Sequence, residues 1–402
     1  MKILSLLILG FCAIAKAAPP VVSNVSASQM PGTKFVNIYY NLADADGDLQ
    51  TIEVRVSSDG GLTYSVPATS LTGHVGSGVA TGTGKHVLWD AGTDFGGNFI
   101  ERCKVRITAT DGNLPTAPAG MMTIPAGWFQ MGDTLEGANS PTANILITQF
   151  SIDRYEVSKG LWDQVRTWAA GNQFTDLSAG SSSNGALHPV HSITWYDAVK
   201  WCNARSIKEG LVPCYYTDAA KTNAYIYKTG TTNLTSDMVL WNADGYRLPT
   251  EAEWEKAARG GLTNKRFPWG DTITHSQATY RAQPTGFTYS IYPYNGYSYD
   301  VSPTTHYHPT YGGDTAPCGT FPANGYGLYD MAGNLWEWTW DFTGGTLGTP
   351  SATNPIGPAS GSDRLLHGGA YYDDASYVRC GFRLNHAPGY SDIRCGFRSV
   401  RR

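Results

Sequence analysis

Residues 321–341, FPANGYGLYDMAGNLWEWTWD, combine a glycine turn with acidic side chains on either side of it in an otherwise mostly apolar and aromatic stretch. Asp330 and Glu337 flank the turn at Gly333, which leaves backbone carbonyls nearby. Oxygen ligands on a tight loop suit a hard cation such as Ca²⁺, and two carboxylates so close together need a neutralising partner. The alternative is a capping Asp and a buried Glu, both bonded to backbone amides. The stretch predicts a calcium site.

Two segments upstream carry the signals of capped helices. Thr250 and Glu253 have capping-box spacing, and Gly260 is placed to end that helix. Thr194 and Asp197 repeat the arrangement. Apolar residues then follow at helical spacing, namely Trp195, Ala198, Val199 and Cys202 in one segment and Trp254, Ala257 and Ala258 in the other. Such stripes are typical of a packed core, so both segments are interpreted as scaffold rather than as catalytic sequence.

A series of ordered landmarks runs from Met121 to the chain end. They are MMTIPAGWFQMGD, FSIDRYEVSKGLW, HPVHSITWYDAVKWCNA, YRLPTEAEWEKAARGG, FPWGD, the stretch quoted above, RLLHGGAYY and GFRSV. Together they resemble the formylglycine-generating enzyme (sulfatase-modifying factor) family. The resemblance implies an irregular α+β domain over residues 119–402, related to the C-type lectin fold. It also implies a structural Ca²⁺ held by the side chains of Asp330 and Glu337 and the carbonyls of Gly333 and Leu335.

The second calcium site of that family is not expected here. The positions that align with its side-chain ligands are Thr279 and Thr310, and Asp314 is displaced in the loop. His306 and His308 could attract a transition metal, but no third ligand is evident in the sequence. An ordinary polar loop is predicted.

Residues 18–115 alternate apolar and polar positions with period two, as in KFVNIYYNL, QTIEVRVSS and CKVRITATDG. Short strands at regular spacing predict an all-β sandwich that resembles fibronectin type III or immunoglobulin-like modules. Its DADGD segment (Asp44, Asp46, Asp48) looks like a calcium loop, but the twelfth position is Arg55 rather than Glu. An acidic turn between strands is therefore predicted. The fold class is an N-terminal β-sandwich followed by an irregular α+β domain.

The first residues, MKILSLLILGFCAIAKAAPP, predict a signal peptide over residues 1–17. The apolar run falls short of the roughly 20 residues that span a bilayer, and no later segment is apolar enough. We expect a secreted, periplasmic or cell-surface protein without a membrane span.

The net charge of -4 gives no reason to expect nucleic acid binding. The cysteines beyond the signal leave their pairing open: Cys103, Cys202, Cys214, Cys318, Cys380 and Cys395.

The resemblance also bears on catalysis. Enzymes of the family hold copper with two thiolates that follow a Gly-Gly-Ser turn, five residues apart. Here the turn reads Gly368-Gly369-Ala370, and the two thiolate positions become Asp373 and Val378. Cu(I) is soft and needs thiolates, so copper is unlikely, and Cys380 and Cys395 stand at the wrong spacing. We interpret those two cysteines as buried or disulfide-linked.

The C-terminal tail instead has the composition of a binding surface. Tyr supplies large contact area at low entropic cost, and Ser and Asn supply adaptable hydrogen bonds. The tail resembles the variable region of ligand-binding proteins diversified by retroelements. The predicted ligand-binding residues are Tyr371, Tyr372, Asp373, Asp374, Ser376, Tyr377, Asn385, His386, Tyr390, Ser391 and Asp392.

The sequence thus predicts an exported, non-catalytic protein that binds an extracellular protein or glycan. The alternatives are a solvated irregular loop with no partner, and a formylglycine-generating-type oxidoreductase or a related oxidase with an altered active site.

Overall fold

A computed structural model describes residues 20–44, 47, 49–58, 66–96, 103–111, 117–132, 143–284, 298–304, 306–344 and 352–402. The chain divides into two compact units, Met1–Thr116 and Ala117–Arg402. The predicted signal peptide, Asp46 and Asp48 lie outside the described residues. No helix within the described ranges is long and apolar enough to cross a bilayer.

Where the structure describes the first unit, its strands form two antiparallel sheets, in the orders β1-β2-β6-β4 and β5-β3-β7. Its elements are β1 (Val21–Gln29), β2 (Phe35–Ala43), β3 (Gln50–Ser57), β4 (Leu71–Gly73), β5 (Gly76–Val79), β6 (Gly82–Asp90), the four-residue helix α1 (Ala91–Asp94) and β7 (Lys104–Asp111).

Strand β3 shows why the alternating sequence forms this unit. Ile52 and Val54 are buried, whereas Thr51 and Glu53, which alternate with them, are exposed, because successive side chains of a strand point to opposite faces. The buried side chains of β3 pack in one cluster with residues of the other sheet such as Trp89. The two sheets therefore share one core.

The described part of the second unit forms three small sheets. Their strand orders are β10-β9, β16-β11-β8 and β14-β13-β12-β15, with β12 and β15 parallel. The strands are β8 (Met121–Ile124), β9 (Gly127–Met131), β10 (Ala143–Ile147), β11 (Phe150–Asp153), β12 (Trp336–Phe342), β13 (Arg364–His367), β14 (Leu384–His386), β15 (Cys395–Gly396) and β16 (Val400–Arg401). Long stretches of irregular backbone connect them.

Among the described residues of this unit, three α-helices pack against these sheets: α2 (Lys159–Ala170), α3 (Trp195–Lys208) and α4 (Glu251–Arg259). Both predicted capping boxes are confirmed: Thr194 and Asp197 cap α3, and Thr250 and Glu253 cap α4. Gly260 follows α4 with a φ of 56°, the left-handed conformation that ends many helices.

Burial of α4 goes further than its apolar stripe predicts, because all nine of its residues are buried. Its acidic side chains and Arg259 are tolerated inside because they form ion pairs, and Lys256 donates to the Gly127 carbonyl. Arg247 donates to Glu253 at 2.6 Å and 2.7 Å, and Arg259 lies 2.6 Å from Glu255. Helix α4 is thus enclosed on every side, one face lying against β12 and β13.

An aromatic cluster lies on the other side of β12. The rings of Trp162 (α2) and Trp201 (α3) stack at 5.8 Å, and the edge of Phe397 meets them at 6.0 Å and 5.4 Å. All three side chains are buried. Since Phe397 follows β15, this cluster fixes the C-terminal segment to the helical side of the domain.

Candidate functional site

The loop from Asp330 to Glu337 makes a sharp turn just before β12. Asp330 and Gly333 both have positive φ, 56° and 76°. A side chain at Gly333 would collide with the backbone carbonyl of Thr279, so both the conformation and the lack of space require glycine there. The N–H of Gly333 donates to the Gly368 carbonyl at 2.8 Å. The loop therefore lies directly against the Gly-Gly turn of the tail.

Glu337 is buried in this structure as one half of an ion pair. The Nε of Arg398 donates to Glu337 Oε2 and its Nη2 donates to Oε1, both at 2.7 Å, and both residues have no exposed surface. The Trp254 indole N–H also donates to Oε2 at 2.7 Å. Arg398 is therefore the neutralising partner that the sequence argument required for Glu337.

A third carboxylate, Glu156, completes the buried cluster. Its Oε1 accepts from the Leu335 backbone N–H at 3.1 Å, and its Oε2 accepts from the Asn334 side chain at 2.5 Å. Burial, reinforced by the charges of Asp330 and Glu337, raises the pKa of Glu156 well above its usual range. Burial likewise raises the pKa of Asp330 to about 6. Three acids thus surround one guanidinium.

The donor set fits calcium only in part. Asp330 Oδ2 accepts from the Gly319 N–H at 2.6 Å, while its buried Oδ1 has no hydrogen-bond partner and could serve as a ligand. Both oxygens of Glu337 are already engaged by Arg398 and could coordinate a cation only after that pair opens. Within the described residues, no group of three or more His, Cys, Asp or Glu side chains is arranged to hold a metal. Calcium at this loop stays a prediction.

The polar loop at the second family position makes local contacts. His308 Nε2 lies 3.0 Å from the His275 carbonyl, and His308 Nδ1 accepts from the Thr310 N–H at 3.1 Å. Asp314 accepts from the Thr315 N–H and from Asn184. These hydrogen bonds engage the loop with itself and with His275 and Asn184. The assignment as an ordinary polar loop stays a prediction.

Asp373 and Val378 occupy the two positions at which the family resemblance places thiolates. Asp373 Oδ2 accepts from the Trp336 indole N–H at 2.6 Å and from the Ala370 N–H at 3.0 Å. Burial raises the pKa of Asp373. Val378 is fully buried and packs against Gly369. One position therefore carries a fixed carboxylate and the other an apolar core side chain.

The predicted ligand-binding residues, called here the tail surface, differ in exposure. Tyr372, Tyr377, Asn385 and Ser391 are exposed, and Asp373, Ser376, His386, Tyr390 and Asp392 are half-buried. Tyr371 and Asp374 are buried, so the expectation that they belong to an exposed patch is wrong. The N–H of Tyr371 donates to the Asn334 carbonyl at 3.0 Å, and Asp374 pairs with Arg281 at 2.6 Å. Both are held inward by these contacts.

The sequence Cys-Gly-Phe-Arg occurs twice, at residues 380–383 and at residues 395–398. These two blocks lie in different surroundings. Cys380 and Cys395 are both buried, as one of the two interpretations from the sequence had it. The six cysteines that follow the predicted signal are free thiols in this structure. The first block's Arg383 pairs with Glu251 at 2.7 Å, whereas the second block's Arg398 pairs with Glu337.

Sequence reasoning missed Arg398 and Glu156 as members of the buried cluster. Glu156 stands 178 positions before Asn334 along the chain. It lies in the landmark FSIDRYEVSKGLW, but nothing in that segment points to a partner in the distant loop. Arg398 lies within the repeated Gly-Phe-Arg triplet, next to the large apolar Phe397. An arginine beside such a core residue is a signal that could have pointed to a buried acidic partner.

These observations define the class of protein. It has a mostly β domain with few helices, arranged around a buried acidic loop and a Gly-Gly turn. The domain family described as "sulfatase-modifying factor enzyme 1-like domain" matches residues 109–402. The chain belongs to this family.

Relatives of several kinds share the domain. The formylglycine-generating enzyme of Mus musculus is 31% identical over 359 residues, which cover 82% of this chain and 87% of the relative. A chaperone protein, LppX of Paenibacillus barcinonensis, is 33% identical over 235 residues, 58% of this chain and 75% of the relative. The solved structure of Treponema denticola variable protein 1 has 30% identity and a TM-score of 0.53, covering 70% of this chain and 94% of that one.

Proposed function

We propose that this protein is exported and binds an extracellular ligand through the tail surface, without catalysing a reaction. Its scaffold is formylglycine-generating-enzyme-like, with a lectin-like α+β domain over residues 119–402. It follows a signal peptide at 1–17 and a fibronectin type III or immunoglobulin-like sandwich at 18–115. The ligand is a protein or a glycan at the cell surface or outside the cell.

The observation that carries this proposal is the chemistry at positions 373 and 378. A carboxylate anchored by Trp336 and Ala370 and a buried Val378 supply no soft ligand for copper. Beside them, Tyr372 and Tyr377 are exposed by 46% and 39%. Exposed tyrosines supply the aromatic contact area that binding hot spots commonly use. The similarity to Treponema denticola variable protein 1, a protein described as variable, supports the same assignment.

The double replacement Tyr372→Ala and Tyr377→Ala tests the binding site. Both side chains are exposed, so we expect the melting temperature to stay close to that of the parent. Parent and variant are screened on arrays of extracellular proteins and of glycans. We expect the variant to lose about tenfold or more in affinity for any ligand the parent binds. Tyr371 is left intact because its burial would confound the result. Parent binding that survives the double replacement unaltered would place the site elsewhere.

Formylglycine synthesis is the second candidate function, favoured by the 31% identity to the mouse enzyme. We expect no conversion when the protein is incubated with copper, oxygen and a sulfatase-type cysteine peptide, because two thiolates are missing from the copper positions. The peptide mass is measured, with a formylglycine-generating enzyme as the positive control. A mass decrease of the size expected for the cysteine-to-aldehyde change would overturn the non-catalytic assignment and direct attention to Cys380 and Cys395.

Structural Ca²⁺ at the loop of Asp330, Gly333, Leu335 and Glu337 is part of the same proposal. The buried, unpartnered Oδ1 of Asp330 supports it, and the Arg398–Glu337 pair opposes it. We expect added calcium to raise the melting temperature relative to a chelator-treated sample, because a ligand that binds only the folded state stabilises it. Asp330→Asn, which tolerates the positive φ, should lose most of this shift. A parent protein with the same melting temperature in both buffers does not use calcium here.

A further inference from the structure

The charged groups that line the tail surface are paired within the chain. Asp374 binds Arg281 at 2.6 Å, and Arg394 donates to Asp392 at 2.8 Å. Asp373 accepts from the Trp336 and Ala370 N–H groups. A charged ligand would therefore have to break an existing pair to gain a partner, which costs more than it returns in a half-buried setting. The surface is adapted to an uncharged ligand.

Aromatic rings on this surface are held in place by other rings. Tyr377 packs edge-on against Phe382 at 4.8 Å, and Tyr390 stacks on His386 at 3.8 Å. The Tyr390 hydroxyl also donates to Asp392 at 3.1 Å. Rings that are already ordered lose little conformational entropy on binding. These side chains are therefore preorganised for ligand binding.

Tyr372, the most exposed ring of the tail surface, is paired with a residue outside the tail. Its ring lies 5.1 Å from that of Tyr307 at an angle of 39°, and the Arg281 guanidinium lies 5.9 Å from it. Tyr307 is half-buried. The two tyrosines thus form one aromatic face built from distant parts of the chain.

Backbone hydrogen bonds fix the segment that carries Tyr307 against the tail. The Arg281 N–H donates to the Asp373 carbonyl at 2.8 Å. Ala282 and His306 exchange two backbone hydrogen bonds at 2.7 Å and 2.9 Å. Three segments, around residues 281, 306 and 373, are therefore joined as one platform, and Tyr307 keeps its position relative to Tyr372.

We propose that Tyr307 and Tyr372 together form the principal contact for a neutral oligosaccharide. A pyranose ring has apolar C–H faces that pack on aromatic rings. Its hydroxyls would exchange hydrogen bonds with the hydroxyl of the exposed Tyr372 and with that of Ser376, which stands four residues further along the tail. This inference rests on the proposed ligand-binding function and goes beyond it by naming the ligand class and a contact residue outside the tail.

The test uses an array of neutral, sialylated and sulfated oligosaccharides with the full chain. We expect neutral oligosaccharides to bind with an affinity that changes by less than about twofold between about 0.15 M and about 0.5 M NaCl. Tyr307→Ala and Tyr372→Ala should each weaken binding by about tenfold or more. The matched control is Tyr225→Ala, which removes a tyrosine of similar exposure, 44%, elsewhere in the chain and should change nothing.

The possible contrary results show whether the oligosaccharide inference alone is wrong or the proposed ligand-binding function is wrong as well. If Tyr372→Ala weakens binding and Tyr307→Ala does not, the composite contact is wrong and the tail site stands. Binding restricted to acidic oligosaccharides, or lost at the higher salt, overturns the uncharged ligand. Binding to a protein alone, dependent on Tyr372, overturns the saccharide and keeps the tail site. Binding that neither variant alters overturns both proposals.

Discussion

Arg398→Met is expected to lower the free energy of unfolding of the second unit by about 3–5 kcal/mol, the usual cost of removing one partner from a buried ion pair. Arg398 and Glu337 have no exposed surface, and Glu156 and Asp330 are buried beside them. Without the guanidinium, the three buried carboxyl groups lie close together, and Glu337 loses the positive charge that it is paired with. Methionine keeps much of the volume, so the loss reports on charge rather than on a cavity.

The same replacement should cost less at acid pH. The pKa of Asp330 is raised to about 6 and that of Glu156 is raised well above its usual value. A carboxyl group whose pKa is higher in the folded state contributes stability below its unfolded pKa, and that contribution is lost as the pH rises through the folded value. At about pH 4.5 these groups hold protons in the folded variant. At about pH 7.5 the variant must either bury ionised carboxylates without the Arg398 charge or keep them protonated against the solution pH, and both cost stability.

Denaturant unfolding of parent and variant at both pH values measures this effect. The control is Lys159→Met, which removes the partly exposed ion pair with Asp163 and should cost about 1 kcal/mol or less. If Arg398→Met costs no more than this control, or costs the same at both pH values, the buried carboxyl cluster is not held together by Arg398.

Phe397→Ala should also destabilise the domain by about 3–5 kcal/mol, the range for truncating a fully buried phenylalanine. The ring has no exposed surface and meets Trp162 and Trp201 edge-on. Two large indoles and the backbone around them cannot easily close the space that the ring leaves. The loss therefore includes a cavity as well as the lost burial of the ring.

The first Cys-Gly-Phe-Arg block supplies the matched control, Phe382→Ala. Phe382 is only half-buried. The centroid of its ring lies 6.0 Å from that of Trp336 and 4.8 Å from that of Tyr377. We expect its truncation to cost less than half as much, since solvent already covers part of the ring. Thermal and denaturant unfolding of the two variants provide the comparison. Equal losses of unfolding free energy would show that the two phenylalanines stabilise the domain equally, contrary to what their different burial predicts.

The sequence by itself determined the elements whose causes are local. Capping boxes at Thr194 and Thr250 lie within three residues of their partners, so they can be recognised without knowledge of the rest of the fold. The alternation that makes β3 half-buried is equally local. The order of landmarks from Met121 onward predicted the family, which the match over residues 109–402 confirms.

Tertiary structure decided which of the conspicuous residues face water and which face each other. Neighbouring Tyr371 and Tyr372 have the same chemistry, yet one is 4% exposed and the other 46%, because the backbone of the first is tied to Asn334. The identical Phe382 and Phe397 blocks differ for the same kind of reason.

Glu337 was predicted from the sequence as a cation ligand, and the cation beside it in the fold is the Arg398 guanidinium, 61 positions away. Partners so distant in the chain meet only when the strands and the tail are packed together, and a charge buried in that packing must take whichever opposite charge the fold brings to it.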